Sequence, residues 1–167
     1  QFDKLALDVV IPSGNPGGTD ILDALTVKNE GNARYASGIK ELHLWLDYGT
    51  QGFQGWGTDV DLGAGTYTGP QTGWYWENLD VAVPADGRRL FVSVDVWESP
   101  PASSVNYTVQ LGLPDLNDIN ENGEFDADES GVFMASKNNG PVGGAVINGT
   151  NQTIGYANSD VAGPKVI

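Results

Sequence analysis

The chain of 167 residues contains no cysteine, a single histidine and few cations. The lack of cysteine excludes disulfides, zinc–thiolate sites and thiol nucleophiles. Lys and Arg number 8 against 22 Asp and Glu, which gives a net charge of −14. Nucleic acids and anionic membranes attract clustered cations, whereas the basic residues here form no cluster larger than Arg88-Arg89. We therefore expect neither of them as a partner.

Long apolar runs and helical periodicity are missing as well. No run approaches the roughly 18 residues of a membrane span, so none is predicted. The length suits one core, and because no linker or repeat interrupts it, we predict a single domain over residues 1–167. The sequence starts at Gln1 without an initiator Met, which predicts an extracellular chain whose signal peptide has been removed.

Strand signals dominate what is present. Leu42, Leu44 and Leu46 alternate with His43 and Trp45, which predicts a strand with one inward and one outward face. Seven to nine such segments, separated by turn signals, are typical of an antiparallel β-sandwich of immunoglobulin-like or jelly-roll type. The sequence therefore predicts an all-β fold.

Two finer predictions concern a face and a turn. The segment 89–96 should turn its even-numbered residues inward, and Asp86-Gly87 predicts a hairpin that joins it to residues 79–83. In the second strand, the residues predicted to share one side are Ile21, Asp23, Leu25 and Val27.

The segments 21–32 and 39–47 resemble the start of the immunoglobulin-like adhesion repeats of microbial surface proteins. In those repeats an apolar strand ends in an Asn-x-Gly-Asn motif, here Asn29-Glu30-Gly31-Asn32, and leads into a second strand. The resemblance implies a secreted sandwich and no particular ligand.

The sharpest motif is a calcium loop at residues 118–129, within the acidic segment 115–130. It fits the pattern D-x-[DN]-x-[DN]-G-x5-E in every defined position. Ca²⁺ takes about six to eight oxygen ligands at roughly 2.3–2.6 Å, so short oxygen-bearing side chains must converge from a tight loop, and Gly123 permits its turn. The predicted ligands are Asp118, Asn120, Asn122, Glu124 through its carbonyl, Asp126 and the bidentate Glu129.

This loop is similar to the calcium loops of EF-hand and dockerin domains over these twelve residues. EF-hands carry helices on both sides, whereas residues 111–114 and 131–134 look extended, so the opening switch of calcium sensors is not implied. We expect a structural site that rigidifies a long loop between strands. Because two ligands are neutral Asn, its dissociation constant should be about 10⁻⁴–10⁻³ M.

The charge distribution supports a cation at this loop. Residues 90–136 contain nine acids and no Lys or Arg, and seven of these acids lie between Asp115 and Glu129. Such a cluster repels itself in the absence of a cation. The alternative is a solvated acidic loop without metal.

Three Asn-x-Thr triplets are candidate glycosylation sites: Asn106, Asn148 and Asn151. They lie within the last 62 residues, and Asn106 falls on the polar face of its predicted strand. Their use depends on an archaeal or eukaryotic source.

Aromatic residues concentrate between Trp45 and Trp76. Trp74 and Trp76 share one side of a strand and Trp56 lies in a glycine-rich loop, so the three could stack on the rings of a polysaccharide. The alternative interpretation assigns these aromatics to the core or to a subunit interface, where Trp and Tyr are also enriched.

Catalytic patterns are sparse. The sequence contains no Gly-x-Ser-x-Gly elbow, and His43 has no nucleophile near it in sequence. Carboxylate pairs such as Asp59 with Asp61 could be read as those of a glycosidase, but acids are so plentiful that the pairing carries little weight. We predict a protein that is not an enzyme.

The function predicted from the sequence is a calcium-binding structural subunit that assembles with copies of itself at the cell surface. Residues 1–11 form a candidate donor strand, because a Gly- and Pro-containing segment at 12–18 follows them and a donated strand protects the open edge of a sandwich. In architecture the chain resembles TasA/camelysin-like proteins and archaeal cannula or bundling-pilus subunits, which implies a filament, tube or layer. The alternatives are a calcium-stabilised carbohydrate-binding module of a secreted enzyme and a tandem adhesion repeat.

Glu129→Gln should weaken calcium binding and lower the melting temperature in calcium, because it removes the bidentate ligand. The measurement is thermal unfolding in about 5–10 mM calcium and then in excess chelator, a range chosen above the expected dissociation constant. Glu30→Gln, which removes an acid outside the loop, is the matched control. A melting temperature of the unsubstituted chain that is the same in both conditions would contradict a structural role for calcium.

Overall fold

The computed structural model describes residues 3–11, 13, 19–49, 52–70, 73–97, 107–113, 132–134, 146–147 and 152–154. The regular structure of these residues consists entirely of β-strands, and none of them belongs to a helix long and apolar enough to cross a membrane. The strands are β1 (Lys4–Ile11), β2 (Asp20–Asn29), β3 (Ile39–Leu46), β4 (Val60–Ala64), β5 (Thr66–Gly69), β6 (Gly73–Trp76), β7 (Val81–Val83), β8 (Arg88–Val96), β9 (Tyr107–Val109), β10 (Leu111–Gly112), β11 (Val132–Met134), β12 (Val146–Ile147) and β13 (Gln152–Ile154).

These strands form two main antiparallel sheets with a common core. The five-stranded sheet has the order β12-β1-β8-β3-β4, and the second has the order β10-β2-β6-β5, with β7 and β11 also paired to β2. Strands β9 and β13 form a separate ladder. One cluster of buried residues draws on both main sheets, among them Leu7, Leu44 and Val92 from the first and Leu25 and Trp74 from the second. The arrangement agrees with the predicted all-β antiparallel sandwich.

Strand β8 is buried on both faces. Its even-numbered residues Leu90, Val92, Val94 and Val96 enter the core between the sheets, as predicted. Its odd-numbered residues Phe91, Ser93 and Asp95 point to the outer face of the five-stranded sheet and are buried as well. A second layer of residues therefore covers that outer face.

The prediction for the faces of β2 is wrong over its first half. Leu22 is fully buried in the core, whereas Ile21 and Asp23 are only partly buried. The pairing of β2 with β11 shifts register at this point. A bulge adds one residue and changes the phase of the alternation, so Leu25 and Val27 face the core after it.

The hairpin predicted from Asp86-Gly87 is also wrong, although its turn is present. Gly87 has a φ of +90° and donates its backbone N–H to the carbonyl of Pro84 at 2.8 Å. The flanking strands do not pair: β7 pairs with β2, and β8 pairs with β1 and β3. Burial of Val81 and Val83 against the second sheet decides the partner of β7, and the turn carries the chain from one sheet to the other.

Another crossing between the sheets lies at Gly65, between β4 and β5. The backbone N–H of Gly65 donates to the carbonyl of Leu42 at 2.9 Å, and the indole N–H of Trp76 donates to the carbonyl of Gly63 at 2.9 Å. A Cβ atom at position 65 would lie only 2.5 Å from the Trp76 ring. Trp76 therefore packs so closely against the crossing that position 65 has no room for a side chain.

Gly65→Ala should lower the free energy of unfolding by about 1–3 kcal/mol, because the added methyl group must displace the buried Trp76 ring. Gly112→Ala is the matched control, since a Cβ atom there meets no atom within 4 Å. Urea denaturation of both variants measures the difference. Equal stabilities of the two variants would contradict the tight packing at Gly65.

Candidate functional site

The outer face of the five-stranded sheet carries an aromatic cluster that we call the outer cluster: Trp45, Phe53, Trp56 and Phe91. Trp45 from β3 and Phe91 from β8 are fully buried. The rings of Phe53 and Trp56, from the loop between β3 and β4, meet Trp45 edge-to-face with centroid distances of 5.8 and 5.2 Å. Phe53 also meets Phe91 at 5.5 Å. The loop therefore forms the second layer over this face.

Asp59 holds that loop in place. Its Oδ2 accepts the backbone N–H groups of Gln54 at 2.6 Å and Gly55 at 2.8 Å, and its Oδ1 lies 3.5 Å from the backbone nitrogen of Tyr48. The side chain is buried, and charge-assisted hydrogen bonds to backbone donors offset the cost of burying a carboxylate. Asp59 thus has a structural role, and the glycosidase pair considered with Asp61 is not needed to explain it.

A chain of hydrogen bonds connects the outer cluster to the residue that precedes β1. The Trp45 indole N–H donates to Ser93 Oγ at 2.8 Å, and Ser93 donates to Asp3 Oδ1 at 3.3 Å. Asp3 Oδ2 accepts the Trp56 indole N–H at 2.9 Å, while the Asp3 backbone N–H donates to Asp95 Oδ1 at 2.6 Å. Asp3 therefore joins β1 to the loop and to β8.

His43 lies between two carboxylates on the same face. Its Nε2 is 3.1 Å from Glu41 Oε1, and its Nδ1 is 3.4 Å from Asp61 Oδ1. Burial alone would lower the pKa of His43, but the hydrogen bonds and charges of the two carboxylates outweigh that effect and raise it. Burial also raises the pKa of Asp95, against the lowering effect of the hydrogen bond from Asp3.

His43 and Ser93 are cross-strand partners, with Asp61 beside them. A nucleophilic serine would have to donate its proton to the histidine. Here the Ser93 hydroxyl is fully buried and donates to Asp3. The Ser93 hydroxyl therefore orients Trp45 and Asp3. His43 forms ion-pair contacts with Glu41 and Asp61 on the outer face of the sheet.

The three tryptophans considered for sugar stacking fall into two classes. Trp74 and Trp76 are only 3% and 4% exposed, and both belong to the core between the sheets. Trp56 is 68% exposed, although its indole N–H is engaged by Asp3. A pyranose stacks on an exposed ring face, so Trp74 and Trp76 offer no such platform, and the core interpretation of this pair agrees with the structure.

A cleft on the second sheet brings together aromatic residues that the sequence analysis did not combine. Tyr35, from the turn before β3, stacks on Tyr67 of β5, and Tyr67 pairs across the strands with Trp74 of β6. Asn29 and Arg34 also line this cleft. The spacing between Gly69 and Gly73 could have indicated the pairing of Tyr67 with Trp74. No local signal places Tyr35 there, because its contact spans 32 positions of sequence.

The predicted calcium loop at 118–129 and the candidate glycosylation sites Asn106, Asn148 and Asn151 lie outside the described residues. Within the described ranges, no group of three or more His, Asp or Glu side chains is arranged to hold a metal ion. The calcium site therefore stays a prediction from the motif.

Comparison with known proteins identifies no relative. No family model matches the chain, and neither the curated proteins nor the solved structures contain a match. The function is therefore inferred from the residues of this chain alone.

His43→Gln should lower the free energy of unfolding at acidic pH and have little effect at alkaline pH. The folded-state pKa of His43 is raised, so its ion pairs stabilise the fold fully below the unfolded pKa, and this stability is lost as pH rises through the folded pKa. Urea denaturation at about pH 5.5 and pH 8.5, on either side of the unperturbed value near 6.5, measures the difference. Asp61→Asn should reduce the same pH dependence. An equal effect of His43→Gln at both pH values would contradict the contribution of the ion pairs.

Proposed function

We propose that this protein is an extracellular structural subunit that assembles with copies of itself by exchanging β1, and that calcium bound at residues 118–129 stabilises the assembly. The observation that carries the proposal is the position of β1 inside the five-stranded sheet. Secretion, an immunoglobulin-like or jelly-roll topology and glycosylation of the three Asn-x-Thr sites belong to the same proposal.

Strand β1 lies between β8 and β12 and pairs with both. Leu7, Val9 and Ile11 are fully buried in the core. On the opposite face, Arg89 of β8 forms a bidentate ion pair with Asp8, with N–O distances of 2.9 and 2.6 Å. Removal of β1 would expose apolar core and two strand edges, so this position must be filled for the fold to be stable.

A copy of β1 from a second subunit can fill the position with identical interactions. Exchange of an identical element is a low-cost route to assembly, because each interaction that a strand leaves in its own subunit is formed again in the neighbouring one. The segment 12–18 contains three Gly and two Pro residues, and it provides the connection that either arrangement requires. Whether β1 stays in its own subunit or pairs with a neighbouring one then depends on this connection and on protein concentration.

Asp3 gives the exchanged strand a defined register. Its carboxylate accepts from Ser93 and Trp56, and its backbone N–H donates to Asp95. An incoming strand would bring its own Asp3 to these partners. A slip by one residue would move Leu7, Val9 and Ile11 to the outer face, which the burial of this strand forbids.

In this proposal, calcium favours assembly because it reduces the electrostatic repulsion between acidic subunits. Copies that each carry a net charge of −14 repel one another at low ionic strength. Seven acids between Asp115 and Glu129 concentrate part of that charge. Bound Ca²⁺ would neutralise this segment, and assembly should therefore be favoured in calcium.

A cysteine pair tests the exchange directly, because the natural chain contains no cysteine. Val10 and Arg89 are cross-strand partners on β1 and β8, at a separation that a disulfide can span. The oxidised double variant Val10→Cys with Arg89→Cys fixes β1 in its own subunit. In calcium it should remain monomeric by light scattering, whereas reduction should restore growth to large species.

The two single variants, mixed in calcium before oxidation, should form a disulfide between a Val10→Cys chain and a tagged Arg89→Cys chain. Val60→Cys on β4 is the control, since Val60 is exposed and does not face β8. If the oxidised double variant assembles in calcium to the same size as the reduced one, strand exchange is contradicted. If the unsubstituted chain stays monomeric both with and without calcium, assembly itself is contradicted.

A further inference from the structure

The cleft on the second sheet lies between the turn that precedes β3 and the hairpin of β5 and β6. Three aromatic rings line this cleft, together with a few polar side chains. The lining residues that matter are Asn29, Arg34, Tyr35, Tyr67 and Trp74.

The rings form a layered arrangement with one open platform. Tyr35 and Tyr67 stack with centroids 4.4 Å apart and planes inclined by 21°. Trp74 lies 4.9 Å from Tyr67 and meets Tyr35 edge-on at 6.5 Å. Tyr35 is 46% exposed, so part of this residue is accessible to a ligand at the cleft.

Among the residues that the structure describes, the buried Trp74 indole N–H has no hydrogen-bond acceptor. Three other indole N–H groups do have acceptors: Trp45 in Ser93, Trp56 in Asp3 and Trp76 in Gly63. A buried donor without a partner is uncommon and costly, and Trp74 is one of the residues that line the cleft.

The charge of the cleft differs from that of the chain. Of the described residues that line the cleft, Arg34 alone is charged and none is a carboxylate, whereas the whole chain carries a net charge of −14. One guanidinium nitrogen donates to the carbonyls of Gly31 and Ala33, which fixes the group beside the rings. The planar guanidinium is well suited to a carboxylate.

We propose that this cleft binds an acidic saccharide, independently of the exchange of β1. A pyranose ring packs on the open face of Tyr35, its carboxylate pairs with Arg34, and one of its oxygens accepts the Trp74 indole N–H. The Trp74 N–H is itself buried, so the exposed Tyr35 ring must shift together with the bound sugar for that hydrogen bond to form. A proline-rich peptide suits the cleft less well, because such peptides occupy grooves between aromatic rings, whereas Tyr35 and Tyr67 stack closely.

The probe is hexagalacturonate, and its fully methyl-esterified form is the matched neutral control. Indole N–H resonances of the full chain are followed by NMR at ligand concentrations up to about 10 mM, which nearly saturates a site with a dissociation constant of about 1 mM. Trp74→Phe identifies the Trp74 resonance. We expect hexagalacturonate to shift this resonance and the methyl ester to bind at least about fivefold more weakly, with the difference falling at high salt.

Three variants locate the site. Tyr35→Ala should abolish binding, Arg34→Gln should remove the preference for the acid over the ester, and Trp74→Phe should weaken binding by about tenfold. Trp56→Ala, which alters an exposed ring on the other sheet, should leave binding unchanged.

Any of three results would overturn the proposal. The chemical shift of the Trp74 indole N–H could stay the same when hexagalacturonate is added, hexagalacturonate and its methyl ester could bind equally well, or Tyr35→Ala could bind as tightly as the unsubstituted chain. A shift of the Trp74 resonance with decaproline and not with the saccharide would assign the cleft to a proline-rich peptide instead. Because the cysteine-locked β1 variant keeps this cleft, saccharide binding and strand exchange can fail separately.

Discussion

Burial of β8 on both faces is the constraint on which the rest of the structure depends. A strand with apolar residues on one side needs only an opposing sheet, and Val92 and Val94 meet that need in the core. Phe91, Ser93 and Asp95 impose a second requirement, because their burial demands another layer outside the sheet. The loop between β3 and β4 supplies that layer, and the buried carboxylate of Asp59 supplies the hydrogen bonds that hold the loop.

Because of this requirement, β1 and the residue before it contribute to both layers that cover β8. Through Leu7 and Val9 it contributes to the core, and through Asp3 it satisfies Ser93 and the indole of Trp56 in the outer layer. Both layers therefore depend on the same segment. A subunit that received this strand from a neighbour would complete its core and its outer layer in one step, which gives strand exchange a physical basis in this fold.

The alternation of side chains was sufficient to predict the inward faces of β3 and β8 and the all-β class. It failed at β2, where a bulge reverses the phase after Asp23, and at Asp86-Gly87, where the turn is local but the pairing is decided by burial elsewhere. A period of two distinguishes the faces of a strand but does not reveal whether the second face is covered. The alternation places Trp45 correctly on the outer face, but Trp45 is buried only because the loop that carries Phe53 and Trp56 covers it.

The same limit explains the two candidate sites. The predicted calcium loop can be proposed from sequence because all of its predicted ligands lie within twelve consecutive residues, whereas the cleft joins Tyr35, Tyr67 and Trp74 through tertiary contacts. The number of tryptophans in the sequence therefore does not show which of them only pack in the fold and which could contact a ligand. Hydrogen bonding distinguishes them better: the indole N–H groups of Trp45 and Trp76 have acceptors within the fold, whereas the buried N–H of Trp74 has none among the described residues. The fold satisfies the buried carboxylate of Asp59 with backbone donors but leaves the Trp74 donor unpaired among the described residues, and that contrast is the reason for proposing recognition at the cleft.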